Sequence, residues 1–304
     1  MADDDHVEHQ STFALRSLNP AASACLEKAP VGSDKSRRGE NKVMRVDDKT
    51  DVVASLILKS ERVVALTGAG ISTESGIPDF RSPGGIWSRY DPEEFSFQRF
   101  LASEDARRRY WEFSRDFYPV VASAKPNAAH LALAELYRLG KLHCIITQNV
   151  DGLHQKSGVP EDKVIEIHGT LMFVVCLDCG KKYPRGEIQK RVEAGELPPR
   201  CECGGVLKPA TISFGQPMPA REMRLAEEAA TSCDLFMVVG SSLVVYPAAS
   251  LPLLAKRSGA RLVIINLTPT AHDNYADVVI HGKASATLQK IVMLVKAKMR
   301  ENST

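Results

Sequence analysis

The stretch Val63-Val64-Ala65-Leu66-Thr67-Gly68-Ala69-Gly70-Ile71-Ser72, continued by Thr73-Glu74-Ser75-Gly76, decides the fold. Four apolar residues without a charge read as a buried strand, and they run straight into glycines. Gly68 permits a sharp turn after that strand. Gly70 lets backbone amides approach a pyrophosphate where a helix begins. The third glycine of a Gly-x-Gly-x-x-Gly fingerprint is absent, because Thr73 stands at its position, so the turn by itself is a weak sign of a dinucleotide.

Apolar runs of the same kind recur at Cys144-Ile145-Ile146, at 235–239, at 262–265 and at Val278-Val279-Ile280. Stretches of helical character separate them at 53–58, 106–117, 130–139, 221–230 and 286–298. Such alternation predicts an α/β fold, a Rossmann-like doubly wound parallel sheet covered on both faces, with right-handed crossovers. Ligands of such a sheet lie in the crevice outside the carboxyl ends of the strands. The segment 235–255 carries no charge over 21 residues, long enough to cross a bilayer. Gly240, Ser241 and Ser242 interrupt it and Pro247 and Pro252 follow, which predicts strand, turn and helix start instead of a membrane partner.

Of the 304 residues, 25% are charged and 44% hydrophobic, enough apolar material for a large core and far from collagen or wholesale disorder. A single core stops growing near this length, so a main body with a smaller companion is expected. Thirty-nine basic against 37 acidic residues leave a net charge of +2, too small for a dedicated nucleic-acid binder, and no direct nucleic-acid partner is expected. Residues 1–46 hold one aromatic, Phe13, and no periodicity; they are expected to be a disordered tail ahead of a folded body at 47–304. The opening Met-Ala-Asp-Asp-Asp-His lacks the features of a signal peptide, which predicts a cytoplasmic protein and leaves the nucleus open.

Four of seven cysteines crowd together as Cys176-x-x-Cys179 and Cys201-x-Cys203, 21 residues apart, with Gly180, Gly204 and Gly205 beside them. Four thiolates saturate a tetrahedral zinc and leave no position for water, so the expected metal is one structural zinc in a small inserted module at about 171–208. The single residue inside the second pair predicts a tight turn. Two disulfides are the competing reading, disfavoured by the lack of secretory features.

Two further runs deliver polar groups at strand ends. Cys144-Ile145-Ile146 leads into Thr147-Gln148-Asn149-Val150-Asp151-Gly152-Leu153-His154, whose amides and carboxylate suit ribose hydroxyls. Val164-Ile165-Glu166-Ile167 ends in His168-Gly169, which makes His168 a candidate general base against the bland reading of a structural histidine. Between them in kind lies the irregular loop Ile77-Pro78-Asp79-Phe80-Arg81-Ser82-Pro83-Gly84-Gly85-Ile86-Trp87, where Phe80 can cover a flat ring and Arg81 can reach phosphate.

Taken together with Phe214-Gly215, Gly240-Ser241-Ser242 and Ile265-Asn266-Leu267, these motifs resemble the sirtuins, NAD-dependent protein deacylases, of the bacterial, deacetylase-like type. The resemblance covers about 47–304. It implies a Rossmann-type domain with an inserted zinc module and a cleft for NAD and an acyl-lysine peptide. It assigns Gly68, Ala69, Gly70, Thr73, Asp79, Phe80, Arg81, Gln148, Asn149, Val150, Asp151, Gly240, Ser241, Ser242, Asn266, Leu267, Thr268 and Ala284 to NAD. His168 becomes the base, with Asn149 and Asp151 as catalytic neighbours. Phe214, Gly215 and the segment 243–246, with Val244, Val245 and Tyr246, would border the peptide.

The implied reaction has the acyl oxygen attack the anomeric carbon as nicotinamide leaves, after which His168 helps a ribose hydroxyl take the acyl group, yielding free lysine and O-acyl-ADP-ribose. Sirtuins that favour acidic acyl groups carry a Tyr and an Arg where this chain has Ser114 and Phe117, so acetyl or short neutral groups are expected. Gln216 stands where many relatives have Glu. A nicotinamide dehydrogenase, a mono-ADP-ribosyltransferase and a non-catalytic zinc-stabilised reader of acylated tails are the rival readings.

Overall fold

The computed structural model describes residues 45–302. All but the last two positions of the expected tail therefore lie outside the described residues.

The body begins with α1 (Val46–Lys59), followed by β1 (Val63–Thr67), α2 (Phe97–Ala102), α3 (Glu104–Ser123), α4 (Ala128–Arg138), β2 (Cys144–Thr147), α5 (Leu153–Lys156) and β3 (Val164–Glu166). An inserted unit comes next: β4 (Gly169–Cys176), β5 (Lys182–Pro184), α6 (Arg185–Glu193) and β6 (Leu207–Thr211). The chain then returns through α7 (Ala220–Ser232), β7 (Leu235–Val239), α8 (Leu251–Arg257), β8 (Arg261–Asn266), β9 (Val278–His281) and α9 (Ala284–Glu301). Each helix expected from periodicity is present, with ends that differ. α1 starts seven residues before the expected 53–58, because its first turns are polar surface, led by Asp47 and Asp48 at the positive end of the helix dipole.

Six parallel strands form one sheet in the order β3-β2-β1-β7-β8-β9. Both faces are buried, which is why the strands read as unbroken apolar runs. Side chains alternate between two cores. Val63, Ala65, Met237, Val263 and Ile265 face Val53 and Ile57 of α1, Leu133 and Leu136 of α4, and Leu288 and Ile291 of α9. Val64, Leu66, Ile146, Phe236, Val238 and Ile264 face Ala226 and Ala230 of α7 and Leu251 and Ala255 of α8. The uncharged segment 235–255 is divided into β7, a turn and the start of α8, and no helix among the described residues is long and apolar enough to cross a membrane.

The inserted unit is an antiparallel sheet, β5-β4-β6, backed by α6. Its core joins Val174, Tyr183, Ile188 and Leu207 to Phe100 of α2 and Trp111 of α3. It runs from Gly169 to Thr211, a little beyond the expected 171–208 at both ends.

Candidate active site

The order of the large sheet reverses direction between β1 and β7, and the loops leaving β1, β2, β7 and β8 converge there, as they do in doubly wound sheets generally. They line a cleft of about 710 Å³ that includes every residue assigned above to NAD, together with His168, Phe214, Gly215, Val245 and Tyr246. Two expected groove residues fall elsewhere. Leu243 is buried in the core beneath the sheet, and Val244 lies outside the cleft with half its surface exposed. Leu243 stands at φ +55°, in the left-handed region, so the chain turns there and the segment does not run along the cleft as an extended strand would.

After β1 the chain does not enter the expected helix. It makes two short 3₁₀ turns, Ala69–Ile71 and Thr73–Ser75, closed by Gly76 in the left-handed region. The glycines have a role the sequence did not announce. The Gly68 amide donates to the Val239 carbonyl (3.1 Å) and the Gly70 amide to the Gly240 carbonyl (2.9 Å). A Cβ on Gly68 or Gly70 would lie 2.8 or 2.9 Å from the Gly240 oxygen, and one on Gly240 only 2.4 Å from the Ile71 nitrogen. Glycine is required because two turns of backbone touch, and the Gly70 amide is spent on that contact instead of pointing at a ligand.

Beneath this turn Ser72, which the sequence reading quoted without assigning a role, is the hub of a buried network. Its hydroxyl donates to the Asp151 carboxylate (2.7 Å) and accepts from Asn149 Nδ2 (3.1 Å). The His130 ring nitrogen Nε2 lies 3.4 Å from the same oxygen. Asn149 Nδ2 also donates to the Gly68 carbonyl (3.1 Å), and Asp151 accepts the Leu153 amide (2.9 Å) just ahead of α5. Asn149 and Asp151, 9% and 5% exposed, thus tie the β2 loop to the glycine turn. Asn127 caps α4 and donates to the Ile71 carbonyl (2.7 Å), joining a third segment to the same point.

Two histidines below the network went unassigned at the sequence level. His154 Nε2 meets the Thr67 hydroxyl at 2.9 Å, its ring centroid 5.0 Å from that of His130. Burial lowers both: His130 to about 4, against a smaller opposing pull from Asp151, and His154 well below its ordinary value with help from His130. Both are neutral at pH 7. No sequence signal separates them from other helix histidines; only their packing does.

His168 follows β3, with its carbonyl accepting the Ile212 amide (2.9 Å). Its Nδ1 lies 3.1 Å from the Gln148 carbonyl, which can only accept, so Nδ1 carries the hydrogen and Nε2 keeps a lone pair. Burial lowers its pKa more than that bond raises it, so the ring is neutral and able to take a proton. Across the cleft the loop 77–95 supplies Phe80, its ring tilted 37° against Trp87 at 5.4 Å, and Trp87 in turn meets Phe214 (6.1 Å). Asp79 holds this loop by accepting from the Arg81 and Ser82 amides at 3.0 and 2.8 Å. Gln216 accepts the Ser213 amide (3.1 Å), a turn-closing contact that its carbonyl oxygen makes without charge.

The four cysteines come together with all sulfur atoms within 4.8 Å of one another. Cys176–Cys203 and Cys179–Cys201 are each 3.7 Å apart. A tetrahedron with Zn–S near ~2.3 Å has edges of ~3.8 Å, so the quartet is spaced to hold one zinc ion and not to form disulfides. Gly204, at φ +83° with its amide on the Cys201 carbonyl, makes the expected tight turn, while a Cβ on Gly205 would sit 2.8 Å from the Cys176 sulfur.

Comparison with known proteins agrees with this geometry. The Sir2 family model matches residues 68–247. An NAD-dependent protein deacetylase of Thermodesulfovibrio yellowstonii is 45% identical over 252 residues, which covers 83% of this chain and 97% of that protein. NAD-dependent protein deacetylase 1 of Pyrobaculum aerophilum is 49% identical over 246 residues, 81% and 94% of the two chains. NAD-dependent protein deacylase 2 of Archaeoglobus fulgidus is 46% identical over 253 residues, 83% and 98%. Among solved structures, a complex of Sir2 with a p53 peptide and NAD⁺ superposes with a TM-score of 0.74 at 36% identity, over 82% of this chain and 98% of that one. A Sir2 variant holding deacetylated p53 peptide and 3′-O-acetyl ADP-ribose superposes at 0.75 with 38% identity, over 80% and 97%.

Proposed function

The chain belongs to the Sir2 family, and from that premise we propose how its own residues carry out NAD-dependent protein deacylation. The enzyme removes acyl groups from protein lysines and converts NAD to nicotinamide and O-acyl-ADP-ribose. NAD supplies an anomeric carbon from which nicotinamide departs as the acyl oxygen takes its place. The observation that carries the residue roles is the fixed tautomer of His168: with Nδ1 held by the Gln148 carbonyl, Nε2 faces the cleft as an unprotonated base. His168 takes the proton of a ribose hydroxyl at Nε2. Asn149 and Asp151, preorganised in the buried network, and Gln148, whose amide donates to the Ser241 hydroxyl (2.9 Å), position the nucleotide, since polar groups fixed in advance stabilise developing charge best. Phe80 and Trp87 exclude water from the reacting sugar. Phe214, Val245 and Tyr246 hold the peptide beside the lysine stem.

Residues 47–304 are the catalytic domain in this reading, the zinc module is its structural insert, and a reducing compartment such as the cytoplasm suits four unpaired thiolates. The near-neutral net charge of +2 favours protein over nucleic acid as the partner.

Purified protein incubated with NAD and an acetyl-lysine peptide should release nicotinamide in step with loss of the acetyl mass from the peptide. Acyl loss that proceeds without NAD, or a peptide that gains ADP-ribose, would overturn the reading. His168→Ala should lower kcat by ~10²–10⁴ while leaving Tm unchanged.

A further inference from the structure

β6 is an edge strand, paired with β4 on one side only. Residues two apart on a strand turn the same way, so the carbonyls of Leu207, Pro209 and Thr211 share the edge away from β4, where no strand offers them a donor. Pro209 suits that register, having no amide hydrogen to leave unpaired there. Two side chains supply the missing donors. Trp111 Nε1 of α3 donates to the Leu207 carbonyl (3.1 Å), and Lys208 Nζ donates to the Thr211 and Pro209 carbonyls (2.5 and 3.4 Å). Lys208 is 1% exposed, and no carboxylate among the described residues is near enough to pair with it. A buried lysine head without an acid is costly, and the small sheet by itself does not call for one, since the neutral Trp111 indole serves Leu207 in the same way. Burial lowers the Lys208 pKa to about 7, and the nitrogen has hydrogens to donate in either protonation state.

The other edge of the same residues meets the catalytic base. The Ile212 amide donates to the His168 carbonyl (2.9 Å), and the Ala210 carbonyl lies so close to Gly169 that a Cβ there would stand 2.1 Å from it. The Thr211 carbonyl and the Ile212 amide are the two ends of one planar peptide group and point in opposite directions. Lys208 grips one end and His168 the other. Hydrogen bonds in such a row strengthen one another, and a buried carbonyl stripped of its donor is destabilising. The pairing of β4 with β6 shifts register between Gly169 and Val174, so the ladder does not fix this stretch unaided. The His168 backbone is thus set from β6, and its ring from the Gln148 carbonyl (3.1 Å).

We propose that Lys208 is a positioning residue for deacylation: by holding the Thr211–Ile212 peptide it fixes the backbone of His168, and with it the place of Nε2 against the ribose hydroxyl. The inference rests on the deacylase reading and adds to it a residue that stands outside the lining of the cleft.

Nicotinamide leaves before His168 acts, so the two steps can be read apart. Exchange of labelled nicotinamide into NAD in the presence of an acetyl-lysine peptide reports the first step, and loss of acetyl mass reports the whole reaction. Lys208→Met keeps the apolar stem and removes the donor. It should lower kcat for deacetylation by about tenfold or more, because a displacement of ~1 Å near the chemistry costs up to ~10²-fold, while exchange stays at or above the wild-type rate and KM for NAD and peptide holds within about twofold. Lys208→Arg restores donors and should recover most of the lost kcat. A Met variant with wild-type kcat, or an Arg variant no faster than Met, overturns the inference. Exchange and deacetylation falling in equal proportion overturn it as well, since that marks a general loss of the fold and not a misplaced base. Should the Met variant prove insoluble, Lys208→Gln decides, because its amide is one bond too short for the Thr211 carbonyl: a smaller split of the same kind supports the inference, and wild-type kcat overturns it. Wild-type protein that shows neither exchange nor deacetylation would instead overturn the deacylase reading itself.

Discussion

At His130 and His154 a buried pair of rings is held neutral, and this makes the molecule sensitive to acid. His130 titrates near 4 in the folded protein against an ordinary value of 6.5, both groups being neutral above that range. Below pH 6.5 the unfolded chain takes up the proton first, so stability is complete above 6.5 and is lost as the pH falls toward 4. His130 alone should contribute ~3 kcal/mol of that loss. Thermal melts from pH 7.5 to 4.5 should show the decline, and His130→Gln should flatten it; an unchanged slope would contradict the assignment. The same residues mark where reading the sequence stopped. His168, Asn149 and Asp151 were legible because they close apolar runs, and a strand end has a known place in such a sheet. Ser72, His130 and His154 were not, because their roles come from three segments far apart in the chain that meet only after folding.

Strands and helices were legible because burial on two faces leaves a continuous apolar signature. The turn after β1 was not, since a Gly-x-Gly sequence reads equally as a phosphate turn and as backbone contact. Gly240 tests the second meaning. At φ +62° with a Cβ position 2.4 Å from the Ile71 nitrogen, Gly240→Ala should destabilise by at least ~1–3 kcal/mol and weaken NAD binding as the Gly70 contact opens. Gly76→Ala, at φ +85° with nothing within 4 Å, should lower stability by only ~1 kcal/mol. Denaturant melts with NAD titrations compare the two; equal effects would mean that dihedral strain, not the backbone contact, is what the glycine relieves. In the inserted unit, Cys176→Ser or chelation should remove the metal and melt β4, β5 and β6 together with a loss of activity, followed by metal analysis and calorimetry. A zinc-free protein with full activity and an unchanged melt would refute the structural assignment.

For the molecule as a whole, the parallel sheet and the inserted unit present loops that are far apart in sequence to one cleft, so a ligand there ties many elements together. NAD at a hundred times its dissociation constant should add ~2.7 kcal/mol, a rise of roughly 5–10 °C in Tm for a body of this size. A melt indifferent to NAD would place the nucleotide elsewhere.

α3 carries one further implication. One flank of this single rod, at Trp111, is bedded in the lobe that the thiolates hold, and the other, at Tyr110, forms a wall of the reaction chamber. Oxidative stripping of the metal would therefore unseat that wall along with the lobe, so the chamber's hold on its cargo and the chemical step beside it should fail together.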